Sequence, residues 1–157
     1  MKDSAIIDKV LSRRVFDSRG NPTIETEIIT KSGAYGRAIS PSGASTGKNE
    51  AVEIRDKDER YNGKDVKTGL DLINNEIASL LVGISCEDQK SFDKILNDYD
   101  QTSQKKRIGG NVSTSLSIAN YLCAANLNKS PAFRFYAKSN KLKIPKPEIQ
   151  IFGGGAH

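Results

Sequence analysis

The residues with the strongest claim to chemistry lie together in "SPSGASTGKNE", Ser40 to Glu50. Glycines, hydroxyl side chains and a Gly-Lys pair suggest a loop whose backbone N–H groups cradle phosphate. That motif needs a glycine five residues ahead of the Gly-Lys pair, and a Ser or Thr after the lysine to meet magnesium. Here Ser42 holds the first of these places, and Asn49 follows Lys48. The pattern fails at both ends, so a P-loop is rejected. A catalytic lid and a solvated turn both remain open at this point. A second candidate is His157, the only histidine, at the end of "IFGGGAH". Such a residue can carry charge near a phosphate or carboxylate, or donate a hydrogen bond, and it can equally be a tail residue. Cys86 and Cys123 are too few for a disulfide framework and lack metal-ligand spacing, so they read as buried reduced thiols.

Those groups must be positioned by elements, and the chain is long enough to build them. Its 157 residues fit one domain, or a domain with a short appendage. With 36% hydrophobic and 27% charged residues it reads as globular, not disordered. No apolar run approaches a membrane span and no signal segment opens the chain, so no membrane partner is expected and the cytoplasm is the expected location. The net charge of +5 raises the question of nucleic acid. Basic residues are nevertheless interleaved with acids in "EIRDKDERYNGKD", as on a solvated surface. Only "QKKR" (104–107) and "KSNKLKIPK" (138–146) form basic clusters, and no RNA-recognition or zinc-finger signature accompanies them. A nucleic-acid partner is therefore not expected.

The first part reads as strands. "VLSRRVF" and "TIETEII" carry β-branched residues, and Ile24, Thr26 and Ile28 alternate with Glu25 and Glu27, as in a sheet wet on one face. "DSRGNP" is a turn, Gly33 marks a hairpin, and "GRAIS" is the returning strand. The second part reads as helices. Val66, Leu70, Ile73, Ile77, Leu80 and Leu81 recur at three- and four-residue steps. Ser85 followed by Asp88 resembles a helix start, with Phe92, Ile95, Leu96 and Tyr99 as its buried stripe. A third helix begins near Asn111, the expected cap, and turns Val112, Leu116, Ala119, Leu122 and Cys123 inward. Strands followed by helices argue an α+β fold: a three-stranded antiparallel meander followed by a helical bundle. "PEIQIF" (147–152) reads as a further short strand, and the chain then ends with nothing to cover it.

Several separated stretches resemble one family. "DSRGNPTIETEI", "SPSGASTGKNEAVEIRD", "RYNGKDV" and "IGGNVSTSLSIA" are similar, in order and spacing, to the N-terminal domain of enolase (phosphopyruvate hydratase). "IPKPEIQIFGGGAH" resembles that family's entry into its catalytic barrel. The resemblance implies a capping domain over residues 1–140, and a linker with the first strand of a truncated α/β barrel over 141–157. It implies a lyase interconverting 2-phosphoglycerate and phosphoenolpyruvate plus water, with two Mg²⁺ ions and a homodimer when complete. It also implies that "SGASTG" is the mobile active-site loop, with Ser45 as a magnesium ligand. Ser42, Gly43, Ala44 and His157 would then contact substrate. The residue types suit this: Mg²⁺ takes hard oxygen ligands, and Gly43 and Gly47 bracket Ser45 and let the backbone swing. Disorder is expected from about Ser42 to Lys48 without substrate. Asp17 and Arg19 read as turn or subunit-interface residues, and Glu50, Glu53, Arg55 and Asp56 as a salt-bridged scaffold for the loop.

There are departures. Gly153 stands where the family usually has Asn, and "PEIQIF" differs from its commoner apolar run. They leave open a paralogue with shifted substrate. The acids and lysines of the family's catalytic machinery belong to the barrel domain, so the 157 residues alone are expected to be inactive. A non-catalytic binding or structural module is the alternative from a different class.

Overall fold

The computed structural model describes residues 3–43, 47–137 and 141–153. Three strands come first, β1 (Ile7–Phe16), β2 (Pro22–Thr30) and β3 (Tyr35–Ile39), paired antiparallel in sequence order. The first begins three residues earlier than the β-branched run suggested, because Ile7 already pairs with Thr30. Between β1 and β2, the Asp17 carboxylate accepts from the backbone N–H of Arg19 and Asn21, and Gly20 takes a φ of 75°. This is a turn built on an Asx side chain and a left-handed glycine.

The alternation of β2 is real, and both of its faces are used. Ile24, Thr26 and Ile28 are fully buried against the helices. On the opposite face Glu25 is only 5% exposed, because Arg13 of β1 and Arg37 of β3 close over it at 3.4 and 3.6 Å. Cross-strand charge pairs thus replace the water expected there.

Three main helices cover the inner face. The first, α1 (67–81), is α-helical over Lys67–Leu72, widens to a π turn over Ile73–Ile77, and closes with Ala78–Leu81. A π turn adds a residue to the helix circuit. Ile73, Ile77 and Leu81, four apart, consequently stay on the core face, and Leu80, expected inward, is 47% exposed. The second helix, α2 (Gln89–Asp100), is capped by Asp88, whose carboxylate accepts from Ser91 N–H at 3.1 Å. Ser85, expected to open this helix, instead bridges to Ile6. The third, α3 (Gly110–Leu127), lies across the sheet. Ser115 hydrogen-bonds Thr26 of β2 at 2.9 Å in the buried interior. At Gly36 of β3 a Cβ would fall 2.2 Å from the carbonyl oxygen of Ala119, so only glycine permits this approach of strand to helix. A short α4 (Ala132–Phe135) follows, and Tyr121 packs against Phe135 and Tyr136 there.

The core is one cluster drawn from all these elements, with Phe92, Ile108, Val112 and Leu116 fully buried at its centre. Residues 141–153 contain no helix or strand, which corrects the expectation of a strand at 147–152. A strand needs a neighbour to take its N–H and C=O groups. Both described ladders run within the meander, and neither includes this segment. Among the described residues, no helix is long and apolar enough to cross a membrane.

Candidate functional site

The stretch that opened the sequence analysis is gripped at both stems. On the outgoing side Ser40 extends β3: its N–H donates to Ile24 O, and its carbonyl accepts from the Thr23 hydroxyl, both at 2.8 Å. Ser42 is then held twice. The Arg19 guanidinium donates to its carbonyl at 2.9 Å and that of Arg55 to its hydroxyl at 3.2 Å. On the returning side Gly47 N–H donates to the Glu50 carboxylate at 2.6 Å, and the Gln104 amide donates to Lys48 O at 3.0 Å.

Residues 51–56 have no regular structure, so their backbone groups must find partners elsewhere. Val52 N–H donates to Gln104 O, and Val52 O accepts from Gly110 N–H, each at 2.8 Å. Asn111 takes both sides of Ile54, accepting from its N–H and donating to its carbonyl at 3.1 Å. Its side chain acts as a one-residue strand partner. This corrects its expected role as the cap of α3, a place that Gly109 occupies with a φ of 84°.

Arg55 organises the base of the loop. Its side chain is 15% exposed and donates to Pro22 O at 2.5 Å, to Lys64 O at 2.7 Å and to the Glu53 carboxylate at 2.9 Å, besides Ser42. A planar five-donor fork suits this work, and a lysine would lose most of it. Asp56 serves a neighbouring element. Its carboxylate accepts from the N–H groups of Lys67 and Thr68 at 2.8 and 2.9 Å, capping α1 from eleven residues upstream. Burial pushes the Asp56 carboxyl up, but the hydrogen bonds from Thr68 and Lys67 outweigh it and leave the group below its ordinary value. Of the expected salt-bridged scaffold, Arg55 and Glu53 form an ion pair, whereas Glu50 and Asp56 accept from backbone N–H groups instead, Asp56 outside the loop.

Two hollows flank the loop. The larger, about 650 Å³, is lined by Ser40, Gly43, Glu50, Arg55, Gln104 and Asn111 among others. The smaller, about 260 Å³, has Arg19, Arg55 and Lys64 around it with Glu53. Ser42 and Gly43, two of the expected substrate contacts, lie at this place. Ala44, Ser45 and His157 lie outside the described residues. Among the described residues no group of three His, Cys, Asp or Glu side chains is placed to hold a metal ion. They do not by themselves furnish a magnesium site, which needs about six oxygen ligands. The arrangement fixes and presents a loop. The described lining pairs no nucleophile with a base.

Sequence reasoning missed Gln104 and the true task of Asn111. Both act on backbone more than fifty residues away, and no local pattern announces such a contact.

Comparison with known proteins gives the family. Residues 7–136 match the family described as enolase, N-terminal domain. The chain is 44% identical over 152 residues to the enolase of Mycobacterium leprae (strain TN), covering 97% of this chain and 35% of that protein. It is 45% identical over 151 residues to enolase 1 of Desulfitobacterium hafniense (strain Y51), covering 96% of this chain and again 35% of the relative. The chain thus spans about a third of the length of the curated relatives it matches.

Proposed function

Because this chain belongs to the enolase family, across its N-terminal domain, we propose that it is the capping part of a lyase interconverting 2-phosphoglycerate and phosphoenolpyruvate plus water. Its contribution is the active-site loop. Gly43 and Gly47 flank the tip, Ser42, Gly43 and Ala44 face the substrate, and Ser45 gives an oxygen to one of two magnesium ions. The other ligands and the proton-transfer groups come from a barrel domain outside these 157 residues. His157 contacts the same substrate, residues 1–140 form the cap and 141–157 lead into the barrel. The complete protein works as a cytoplasmic homodimer.

The observation that supports this reading is the double grip on 40–56. Ser42 is held by two arginines, and 47–54 by Gln104, Gly110 and Asn111. Stems clamped in this way are what a closing lid needs, since closure must return to one geometry. Magnesium, when bound, would stabilise the charge that develops on the substrate carboxylate. The chain's own residues deliver and align the lid.

The test joins this chain, through residue 157, to the remainder of the M. leprae enolase and follows phosphoenolpyruvate formation from 2-phosphoglycerate in magnesium buffer. Turnover by the chimera, silence from the 157 residues alone, and a loss of about 10-fold to 100-fold in apparent magnesium affinity for Ser45→Ala are expected. Turnover by the short chain alone, or an unaffected Ser45→Ala chimera, would refute the assignment.

A further inference from the structure

The connection between α2 and α3, residues 101–109, reaches the loop from outside it, and one residue makes the contact. The Gln104 amide Nε2 donates to Lys48 O at 3.0 Å and to Glu50 O at 3.4 Å, and Gln104 O accepts from Val52 N–H at 2.8 Å. The grip falls on alternate residues of the returning stem. An amide carries two hydrogens on one nitrogen, so a single side chain can serve two carbonyls at once. Farther along, Val52 and Ile54 have further partners in Gly110 and Asn111. Among the described residues, Gln104 is the one that reaches the backbone of 48 and 50 from outside the loop.

The support behind that side chain is tied into the core. Asp100 is fully buried and accepts from the N–H groups of Thr102, Arg107 and Ile108 at 2.7 to 2.9 Å. The Thr102 hydroxyl accepts from Lys106 N–H at 2.8 Å, and Gly109 N–H donates to Lys105 O at 2.7 Å. Gln104 projects from this knot and lines the 650 Å³ hollow together with Gly47 and Glu50. We propose that Gln104 is a positioning residue for the active-site loop: it holds the returning stem at 47–50, and so sets how readily the complete enzyme takes up substrate and magnesium. The role rests on the function proposed for the loop.

Without the grip, the stem samples more positions, and ligand binding must supply the ordering that Gln104 supplies in advance. Apparent affinity then falls by the fraction of molecules whose stem stands correctly. At saturation the same site assembles, so turnover hardly changes. The 3.4 Å contact is long, and the grip amounts to little more than one good hydrogen bond.

Gln104→Met keeps the length of the side chain and removes its donors, whereas Gln104→Lys restores a donor of similar reach. Amide exchange is followed in the 157-residue chain. Gln104→Met should speed exchange at Gly47 and Glu50 and leave the Val52 amide protected, because that amide bonds to the backbone of residue 104. In the chimera with the M. leprae enolase, Gln104→Met should raise KM for 2-phosphoglycerate, and the magnesium concentration for half-maximal rate, by about 3-fold to 10-fold. Its kcat should stay within about 2-fold of the parent's, and Gln104→Lys should recover most of the lost affinity. Unchanged exchange, a fall in kcat at unchanged KM, or protection lost equally across α2 and α3 would each overturn the role. An active chimera whose KM ignores Gln104 overturns this role alone, and a chimera silent even without a substitution overturns the function proposed for the loop as well. Should Gln104→Met fail to fold, Gln104→Glu replaces it, since a carboxylate of the same shape offers the two carbonyls no donor.

Discussion

Arg55 shows how much of this site rests on one side chain. Its guanidinium reaches two carbonyls, a hydroxyl and a carboxylate contributed by Pro22, Lys64, Ser42 and Glu53. Those groups come from β2, the turn before α1, and both stems of the loop. Replacing it by lysine keeps the charge but offers a single ammonium where a fork had several aligned donors. Buried acceptors left unpaired cost more than an average hydrogen bond contributes. We expect Arg55→Lys to destabilise the domain by about 2 to 4 kcal/mol in urea unfolding. We also expect faster amide exchange over 47–56 while α2 and α3 stay protected. A variant as stable as the parent would mean that Gln104 and Asn111 suffice to hold the segment. Little of this was visible beforehand. The sequence reading grouped Arg55 with Glu50, Glu53 and Asp56 by charge alone, whereas Arg55 also reaches two backbone carbonyls, those of Pro22 and Lys64, a kind of partner that every residue possesses.

At the scale of elements, carboxylates set where helices begin. Asp56 caps α1, and Asp100 performs a similar service for the loop that leads into α3. Asp100 ends α2, is fully buried, and accepts from the N–H groups of Thr102, Arg107 and Ile108 at 2.7 to 2.9 Å. Burial pushes its carboxyl up, but the Thr102 hydroxyl and the three N–H donors outweigh this and hold the group below its ordinary value. A carboxyl whose pKa is lower folded than unfolded contributes stability in full above its unfolded value, near 4. That contribution fades as pH falls through the lower folded value. Urea midpoints measured from pH 7 to pH 2.5 should therefore drop more steeply for the parent than for Asp100→Asn, which starts less stable. Parallel curves would show that Asp100 is not the group responsible. The helices themselves were legible because their buried faces repeat at three and four residues, and β2 because Ile24 and Ile28 alternate with glutamates. What the repeat could not reveal was the π turn at Ile73–Ile77 that rotates Leu80 outward, or a cap supplied from a loop. Such features depend on which distant groups need partners. The resemblance of separated motifs identified the loop as the candidate site. Composition and periodicity alone left it as a lid or a solvated turn.

For the whole molecule, the core closes without the last stretch of chain. Every buried apolar residue in the central cluster lies between Ala5 and Ala124. Ile144, Ile151 and Phe152 are 95%, 83% and 93% exposed. Ile149 is 77% exposed. Apolar side chains in water contribute nothing to burial, whose stabilisation scales with the area removed from solvent. A chain ending at Ala137 should therefore unfold within about 0.5 kcal/mol of the full 157 residues, with the same steepness of transition. It should also be less prone to associate, because a run of exposed isoleucines and a phenylalanine favours self-contact. Matched urea titrations and light scattering of the two chains check both outcomes. A midpoint that falls by more than about 2 kcal/mol in the shorter chain would show that 138–157 packs on the domain and helps to build it. Unchanged stability fits a cap that folds first and carries an unsatisfied apolar segment to a larger partner. The same exposed isoleucines that add nothing to this domain would then stabilise the joint between the two.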